Sequence, residues 1–422
     1  HGTGVDVQMQ ADSYKYKPTE DAENDRAPYR FGVENAWVVA PTRHGAHNWE
    51  YTGYLSARTA VRMLPEALPE YIYRHIAAPD PGRLLLMGHS MGGHGSWHFA
   101  THAPDLALGV ISVAGWISKE KYGDSNRFFI HDVGHAHVDP SLKAVLEACF
   151  VENNADILAG NLQGLPVHAR VGADDQAVPP WQVRRMVRLL REHRVNVTYE
   201  EVRGKAHWWW DSHRSNDGGV LNDASMRGHF KEHLQKGLAR TPPAPPMFTL
   251  TLFNPATTES RFGIRVLQQI IPLRMSRMQV SVEKSDAGKQ ILRISTSNVR
   301  QWGFLPSVFP QCESLTVDGI RLQCPAPQGV AIRLCRFVAT QSAAVETGGN
   351  VRVASQADSS WEFCDESLLA QAPYSWERGP QLQGPARQVF AAPFLIIAGN
   401  SDISAASGLY LANTHMSSTD TL

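Results

Sequence analysis

An apolar segment that runs into a turn of small residues constrains this chain more than any other feature. Residues 83–88 read RLLLMG, and His89-Ser90-Met91-Gly92 and a helix-like segment over 91–102 follow. A strand, a Gly-x-Ser-x-Gly turn and a helix in succession predict a sharp elbow, in which the small residues let the strand and the helix approach each other. Such an elbow presents its serine in a strained conformation, so Ser90 is a candidate nucleophile. The alternative is a glycine-rich turn without chemistry.

Apolar and amphipathic segments alternate along the first 240 residues. Short apolar strands that alternate with helices predict an α/β fold with a doubly wound, mostly parallel sheet. Strands are predicted at 36–41, 83–88, 108–116, 165–172 and 195–202. Helices are predicted at 55–77, with breaks at Pro65 and Pro69, and at 91–102, 141–150, 181–193 and 223–238.

A proline-rich stretch, residues 241–246, divides the sequence. Such a stretch is stiff and extended, and it is typical of a linker between domains. We predict a catalytic domain over 1–240 before it. After it, alternating segments predict a β-rich accessory domain over 247–340. Residues 341–422 are predicted to hold a polar loop and, from a buried strand at 394–400, the start of a further α/β unit.

A serine nucleophile needs a general base, and the base needs a carboxylate that orients it. In the α/β-hydrolase arrangement that the elbow indicates, the chain order is Ser, then Asp or Glu, then His, and each follows a strand. The loop after strand 165–172 contains Asp174 and Asp175, and the loop after strand 195–202 contains His207. The two loops therefore predict a catalytic triad with Ser90.

Asp174 and Asp175 are both candidates for the acid of this triad. Many enzymes of this kind carry a Gly-x-x-Asp-x-x-Val loop, and residues 172–178 fit that pattern with Asp175 at the acid position. Asp175 is therefore the predicted acid. Asp174 is interpreted as a turn former or as a cap before the helix at 181–193.

Acyl transfer also requires an oxyanion hole made of hydrogen-bond donors. One donor is the amide of the residue after the nucleophile, Met91. The second donor usually lies in a loop after an early strand, and residues 1–4 (HGTG) have suitable chemistry, with the amide of Gly2 or Thr3 as the candidate. The strand expected before that loop is not in the sequence. We therefore interpret the chain as a fragment whose catalytic domain lacks its N-terminal strands.

Composition and charge argue against several classes of function. The chain has 422 residues, of which 43% are hydrophobic and 19% charged, as in an ordinary globular protein of two or three domains. A net charge of −1 predicts no binding to nucleic acid and no attraction to membranes. None of the five cysteines forms a C-x-x-C pair, and no carboxylate–histidine helix spacing supports a metal site at His135 and His137 or at His44 and His47, so no metal and no cofactor is predicted. One or two disulfides among the four C-terminal cysteines stay open.

Three motifs resemble the catalytic domain of prolyl-oligopeptidase-type serine hydrolases, in particular of fungal and bacterial proteins: GHSMGGHGSW, VGADDQAVPPWQ and GKAHWWW. The resemblance covers about residues 1–235, with a weaker similarity over 377–400. It implies Ser90 as nucleophile, Asp175 as acid and His207 as base. The sequence departs from prolyl oligopeptidases proper because it shows no β-propeller and no counterpart of their oxyanion tyrosine.

These features together predict a serine hydrolase that works through an acyl-enzyme. A serine-type peptidase is the favoured prediction, because the resemblance implies it. A carboxylesterase acting on short acyl esters is the alternative, because one triad serves both reactions. A third hypothesis is a non-catalytic fragment or binding module whose β-domain holds a glycan or a protein. The predicted partner is a peptide or ester substrate, and neither the oligomeric state nor the compartment is predicted.

Overall fold

The computed structural model describes the parts of the chain that carry the fold and the site. These are residues 1–3, 5, 33, 35–42, 47–69, 72, 76–125, 139–140, 150–209, 220–221, 223–239, 243–326, 332–338, 359–364, 396–398 and 410–412. Most of the helix predicted at 141–150, including Cys149, lies outside the described residues.

A four-stranded parallel sheet in the order β1-β2-β3-β4 forms the centre of the first domain. Its strands are Leu84–His89 (β1), Ala107–Val113 (β2), Pro166–Gly172 (β3) and Asn196–Val202 (β4). The two inner strands, β2 and β3, are almost entirely buried, as expected for parallel strands covered by helices. Four of the five strands predicted for this domain are confirmed.

Helices separate these strands, as the alternating pattern predicts. They are Thr52–Ala67 (α1), Met91–His102 (α2), Lys119–Ser125 (α3), Pro180–Glu192 (α4) and Ala224–Ala239 (α5). Helix α1 includes Pro65 and ends at Ala67, where Leu68 before Pro69 is extended, because proline disfavours a helical conformation of the residue before it. Among the described residues, we find no helix with the length and apolar character that crossing a membrane requires.

The elbow between β1 and α2 has the strained geometry that the motif predicts. Ser90 has φ 60° and ψ −121°, a left-handed conformation that non-glycine residues rarely adopt. A Cβ atom on Gly88 would lie 2.1 Å from the carbonyl oxygen of Gly92, so only glycine fits at position 88. Strand and helix therefore approach each other as closely as the motif requires.

The strand predicted at 36–41 is wrong. These residues do not pair with another strand; the first three are exposed and the others half-buried. They line a cavity of about 990 Å³ that also borders Leu84, Leu85 and Leu86 of β1, which is the outermost strand of the sheet among the described residues. Apolar character alone predicts burial, but a strand forms only where a neighbour accepts and donates its backbone hydrogen bonds.

Two β-sheets with one common apolar core form the second domain. The first sheet has the order β11-β10-β8-β7-β5 and the second the order β13-β12-β9-β6. The strands are Met247–Leu252 (β5), Ile264–Gln269 (β6), Ser276–Lys284 (β7), Gln290–Ser297 (β8), Val299–Phe304 (β9), Cys312–Val317 (β10), Ile320–Gln323 (β11), Ile332–Val338 (β12) and Ser359–Phe363 (β13). All five β-type segments predicted from the sequence are strands here, which fits an accessory β-domain.

Strands beyond the predicted ones extend this picture. β13 pairs with β12 although its sequence lies in a polar region that predicted a loop. Near the C-terminus, Ile396–Ala398 (β14) pairs antiparallel with Tyr410–Ala412 (β15), where the sequence predicted a buried strand that starts a further α/β unit. An antiparallel pair differs from the strand–helix start of an α/β unit, because that unit needs a parallel crossover.

Two disulfides staple the second domain. Cys312 is bonded to Cys324, and Cys335 is bonded to Cys364. The first disulfide joins the start of β10 to the residue after β11, and the second joins β12 to the end of β13. The sequence left this pairing open, since an odd number of cysteines permits several arrangements.

A buried ion pair joins the two domains. Arg261 of the second domain is 3% exposed and pairs with Asp105 of the first, with Nη1 3.4 Å from Oδ1. Burial lowers the pKa of Arg261 to about 10, and the Asp105 carboxylate opposes that shift. The same carboxylate accepts the backbone N–H groups of Phe262 and Gly263, at 2.7 and 3.1 Å. Asp105 therefore compensates several buried donors at once.

Asn161 forms a second link between the domains by imitating a strand backbone. Its Oδ1 accepts the amide of Thr251 in β5 at 2.7 Å, and its Nδ2 donates to the carbonyl of the same residue at 2.8 Å. The Nδ2 group also donates to the carbonyl of Thr101 near the end of α2. These contacts place the β-domain directly against the elements that follow the nucleophile elbow.

We expect Asp105→Ala to lower the free energy of unfolding by about 3–5 kcal/mol, because it leaves a buried guanidinium without its counter-charge. Urea denaturation monitored by tryptophan fluorescence measures the change. Glu283→Ala is the matched control: its partner Arg293 is 56% exposed, and such surface pairs contribute only about 0–1 kcal/mol. If both substitutions changed the free energy of unfolding equally, the Asp105–Arg261 pair would contribute no more to stability than an exposed pair.

Candidate active site

The structure brings the predicted nucleophile, base and acid into one hydrogen-bonded chain. The Oγ of Ser90 lies 2.8 Å from Nε2 of His207, and Nδ1 of the same ring lies 2.7 Å from Oδ2 of Asp175. All three side chains are buried. Each of them follows a strand of the parallel sheet: Ser90 follows β1, Asp175 follows β3, and His207 follows β4. The carboxyl ends of parallel strands lie at one edge of the sheet, which is why residues far apart in sequence meet here.

Backbone hydrogen bonds fix the carboxylate of Asp175. Its Oδ1 accepts the amides of Ala177 and Val178 at 2.9 and 2.8 Å, which leaves Oδ2 directed at the histidine. Asp174, the alternative acid, is exposed. Its backbone amide donates to the carbonyl of Lys205 at 2.9 Å, so it ties the loop of the acid to the loop of the histidine.

The residues predicted to form an oxyanion hole also lie at Ser90. Met91 is buried and begins α2, so its amide has no acceptor within the helix and lies at the positive end of the helix dipole. A Cβ atom on Gly2 would lie 3.5 Å from Cβ of Ser90, so the N-terminal segment passes directly beside the nucleophile. Thr3 donates its hydroxyl to the sulfur of Met91 at 3.8 Å. The structure thus gathers all three candidates.

His89 is a site residue that the sequence analysis missed. Its Nε2 lies 3.0 Å from the carbonyl oxygen of His207, and the two rings are 4.8 Å apart. Burial lowers the pKa of His89 to about 3, and the nearby His207 adds to that shift. A neutral His89 donates one N–H to the loop that carries His207. The sequence signal that could have identified His89 is its position next to Ser90, but nothing else distinguishes it among the 18 histidines of the chain.

The tryptophans after His207 have different environments. The Trp208 ring is 45% exposed and meets the His207 ring edge-on, with centroids 4.5 Å apart. Trp209 is buried in the core of the first domain, as expected for a residue that packs the loop onto the sheet. Trp210 lies outside the described residues. Trp208 is therefore an exposed aromatic neighbour of the candidate base.

Other clusters of titratable residues do not add a metal centre to the described parts of the chain. No group of three or more His, Cys, Asp or Glu side chains there has an arrangement that could hold a metal ion. The 990 Å³ cavity beside β1 touches Gly92 and Ser96 of α2, and the residues that line it include neither Ser90 nor His207. We therefore locate the chemistry at the edge where the strands end.

Comparisons with known proteins agree with a hydrolase. Residues 16–216, which include Ser90, Asp175 and His207, match a family model described as "Putative esterase". The chain is also similar to an uncharacterised secreted protein of Arthroderma benhamiae, with 27% identity over 270 residues. That match covers 63% of this chain and only 27% of the longer relative.

Solved structures with local similarity include two peptidases and a further hydrolase. A puromycin-hydrolysing peptidase of Mycobacterium tuberculosis is 22% identical, with a TM-score of 0.29 over 36% of this chain and 22% of that one. An acylaminoacyl peptidase of Pyrococcus horikoshii is 20% identical, with a TM-score of 0.31 over 46% and 32%. S-formylglutathione hydrolase of Agrobacterium tumefaciens is 19% identical, with a TM-score of 0.27 over 42% and 57%.

The first domain combines a four-stranded parallel sheet with a strained serine elbow, an α/β architecture. The match to an esterase family model covers residues 16–216, which hold this elbow. The doubly wound arrangement of helices on both faces stays a prediction.

Proposed function

We propose that this chain hydrolyses carbonyl substrates through an acyl-enzyme formed on Ser90. One observation carries the proposal: the hydrogen-bonded chain from Ser90 through His207 to Asp175, at 2.8 and 2.7 Å. These distances are within the range in which a general base takes a proton from a hydroxyl. Stability alone does not require such a buried Ser–His–Asp chain, because apolar residues could fill the same space.

The reaction balances with these residues and water alone. His207 Nε2 takes the proton of the Ser90 hydroxyl while Oγ forms a bond to the carbonyl carbon, and the carbonyl electrons move to oxygen. The tetrahedral intermediate collapses, the bond to the leaving group breaks, and His207 returns the proton to that group. Water then repeats both steps and releases the acid. Asp175 accepts the Nδ1–H and stabilises the imidazolium that forms in each step.

The amides of Met91 and of the N-terminal segment are the proposed oxyanion donors. Such donors act on charge that develops only in the transition state, and the loss of one costs about 10²–10³ in kcat. The helix dipole of α2 adds a favourable field at the same position, because Ser90 and Met91 stand at its N-terminus.

A serine-type peptidase of the prolyl oligopeptidase kind is the finer proposal, and it rests on the motifs around the three residues. A carboxylesterase is the second candidate, and the esterase family model over residues 16–216 favours it. The triad chemistry is common to both, so the leaving group decides between them. In either case the proposed ligand is a peptide or an ester.

Turnover of two kinds of chromogenic substrate, an anilide and esters, distinguishes the candidates. We would compare a Gly-Pro p-nitroanilide with p-nitrophenyl acetate and butyrate, each with wild type and with Ser90→Ala. Cleavage of the anilide that is lost in the variant supports the peptidase. Turnover of the esters alone selects the carboxylesterase. A folded wild-type chain that turns over neither substrate faster than Ser90→Ala contradicts the proposal.

A further inference from the structure

The segment His47–Tyr51 stores backbone strain next to the candidate site. Asn48, Trp49 and Tyr51 have φ values of 56°, 58° and 47°, in the left-handed region. Asparagine adopts that region with some ease, but bulky side chains rarely do, and each such residue costs about 1–3 kcal/mol. Three in a stretch of four persist only where the surroundings hold them firmly.

Buried contacts hold the strained segment on α2. Glu50, which is 4% exposed, lies with Oε1 3.1 Å from Nε2 of His94 in that helix. The other ring nitrogen of His94 lies 3.0 Å from the carbonyl oxygen of Trp116, and the two rings stack. Within the segment, the amides of Trp49 and Glu50 donate to Nδ1 and to the carbonyl of His47, both at 3.1 Å.

The Trp49 indole lies directly against α2 at Gly95. A Cβ atom on Gly95 would lie 2.5 Å from Cδ1 of this ring, so only glycine leaves room for it. Trp49 is buried, and its Nε1–H donates to the carbonyl oxygen of His1 at 3.1 Å. The backbone of His1 lies over Gly92, where an added Cβ would come within 3.1–3.2 Å of it. Trp49 thus fastens the first peptide group of the N-terminal segment.

That peptide group joins the His1 carbonyl to the Gly2 amide. Because a peptide unit is planar and almost always trans, its C=O and N–H point in opposite directions. A hydrogen bond that fixes the carbonyl of His1 therefore also fixes the direction of the Gly2 N–H. A donor on the carbonyl also polarises the peptide and strengthens the N–H as a donor. Gly2 lies beside Ser90, so this polarised group stands next to the nucleophile.

We propose that Trp49 is a positioning residue of the oxyanion hole, which acts through the His1–Gly2 peptide and selects the Gly2 amide as the second donor. The inference rests on the proposed acyl-enzyme function. Trp49 does not touch the substrate in this account. The strained segment exists to hold its indole N–H against the His1 carbonyl while the transition state forms.

The test replaces Trp49 by phenylalanine, which keeps an aromatic ring and removes the N–H donor. Because the donor acts indirectly, we expect kcat to fall about 10-fold to 100-fold, less than for direct loss of an oxyanion donor, with KM nearly unchanged. The affinity for a peptidyl or alkyl boronic acid, which forms a tetrahedral adduct on serine, falls by the same factor. A role in packing alone would lower thermal stability without this selective loss.

Trp37→Phe is the matched control. Its indole also donates to a backbone carbonyl, that of Ala77 at 2.9 Å, but it is exposed. We expect its kcat and boronic acid affinity to equal those of wild type. If Trp49→Phe does not fold, β-(3-benzothienyl)alanine at position 49 keeps the shape of the indole and removes only the N–H.

The outcomes separate this inference from the proposed function. Suppose that the wild-type chain reacts with a fluorophosphonate and that the Trp49 variant keeps wild-type kcat and boronic acid affinity. This result overturns the role of Trp49 and leaves the acyl-enzyme proposal intact. A folded wild-type chain without any fluorophosphonate reaction overturns the proposed function itself. A selective loss of kcat and of adduct affinity in both position 49 variants supports the inference.

Discussion

Asp175→Asn is expected to lower kcat by about 10⁴ with little change in KM, as loss of the orienting carboxylate does in other triads. The carboxylate Oδ2 accepts Nδ1–H of His207 and so keeps Nε2 free to accept the serine proton. An asparagine amide can donate to Nδ1 instead, which favours the tautomer with a proton on Nε2. Steady-state kinetics on whichever ester or anilide the wild type cleaves measure the effect.

Asp174→Asn is the control that the chain itself supplies. Asp174 precedes Asp175 directly, is exposed, and contributes its backbone amide rather than its side chain to the site. We expect its kcat to stay within about threefold of wild type, as for surface substitutions away from the chemistry. A large fall in kcat for Asp174→Asn together with a small fall for Asp175→Asn would show that Asp174, and not Asp175, is the acid.

The second large expected effect is a loss of folding stability at acidic pH. Burial lowers the pKa of His89 to about 3 and of His102 to about 4, and it lowers the pKa of His98 well below its usual value. In the unfolded chain these groups titrate near pH 6.5, so the unfolded state binds protons first as the pH falls. Their contribution to stability is complete above that pH and is lost below it. Three such groups predict a loss of about 4 kcal/mol per pH unit near pH 5.

Urea denaturation at pH 7.5, 6.0 and 5.0 measures this slope before most carboxylates begin to titrate. His102→Gln is the diagnostic variant. The His102 ring stacks on that of His98, with centroids 4.0 Å apart, and it does not belong to the hydrogen-bonded chain at Ser90. This variant should reduce the slope near pH 5 by about 1.4 kcal/mol per pH unit, the contribution of one group. An unchanged slope in this variant would mean that His102 is not held neutral by burial.

The three residues of the candidate triad, Ser90, Asp175 and His207, could be predicted because the sheet is parallel. In such a sheet every strand ends at the same edge, so a serine, an aspartate and a histidine that each follow a strand converge whatever their separation in sequence. The choice of Asp175 over Asp174 came from loop spacing, and the contacts of the two carboxyl groups agree with it.

The supporting contacts could not be predicted, because they depend on pairs that no local pattern links. His89 meets the carbonyl of His207 across 118 positions, and Trp49 meets that of His1 across 48. Asp105 meets Arg261 across 156 positions, between domains that the sequence separates by a linker. The strand expected at 36–41 failed for a related reason: hydrophobicity is local, whereas pairing requires a partner strand.

The most direct test of the account is the site of reaction with a fluorophosphonate probe, mapped by mass spectrometry of the labelled peptide. The account predicts one label, on Ser90, in wild-type chain, and its loss in Ser90→Ala and in His207→Ala, with circular dichroism showing that each variant is folded. Because phosphonylation requires the same activated oxygen as acylation, the label reports the nucleophile independently of substrate. A folded wild-type chain that takes no label, or that is labelled at another serine in preference to Ser90, would contradict the account.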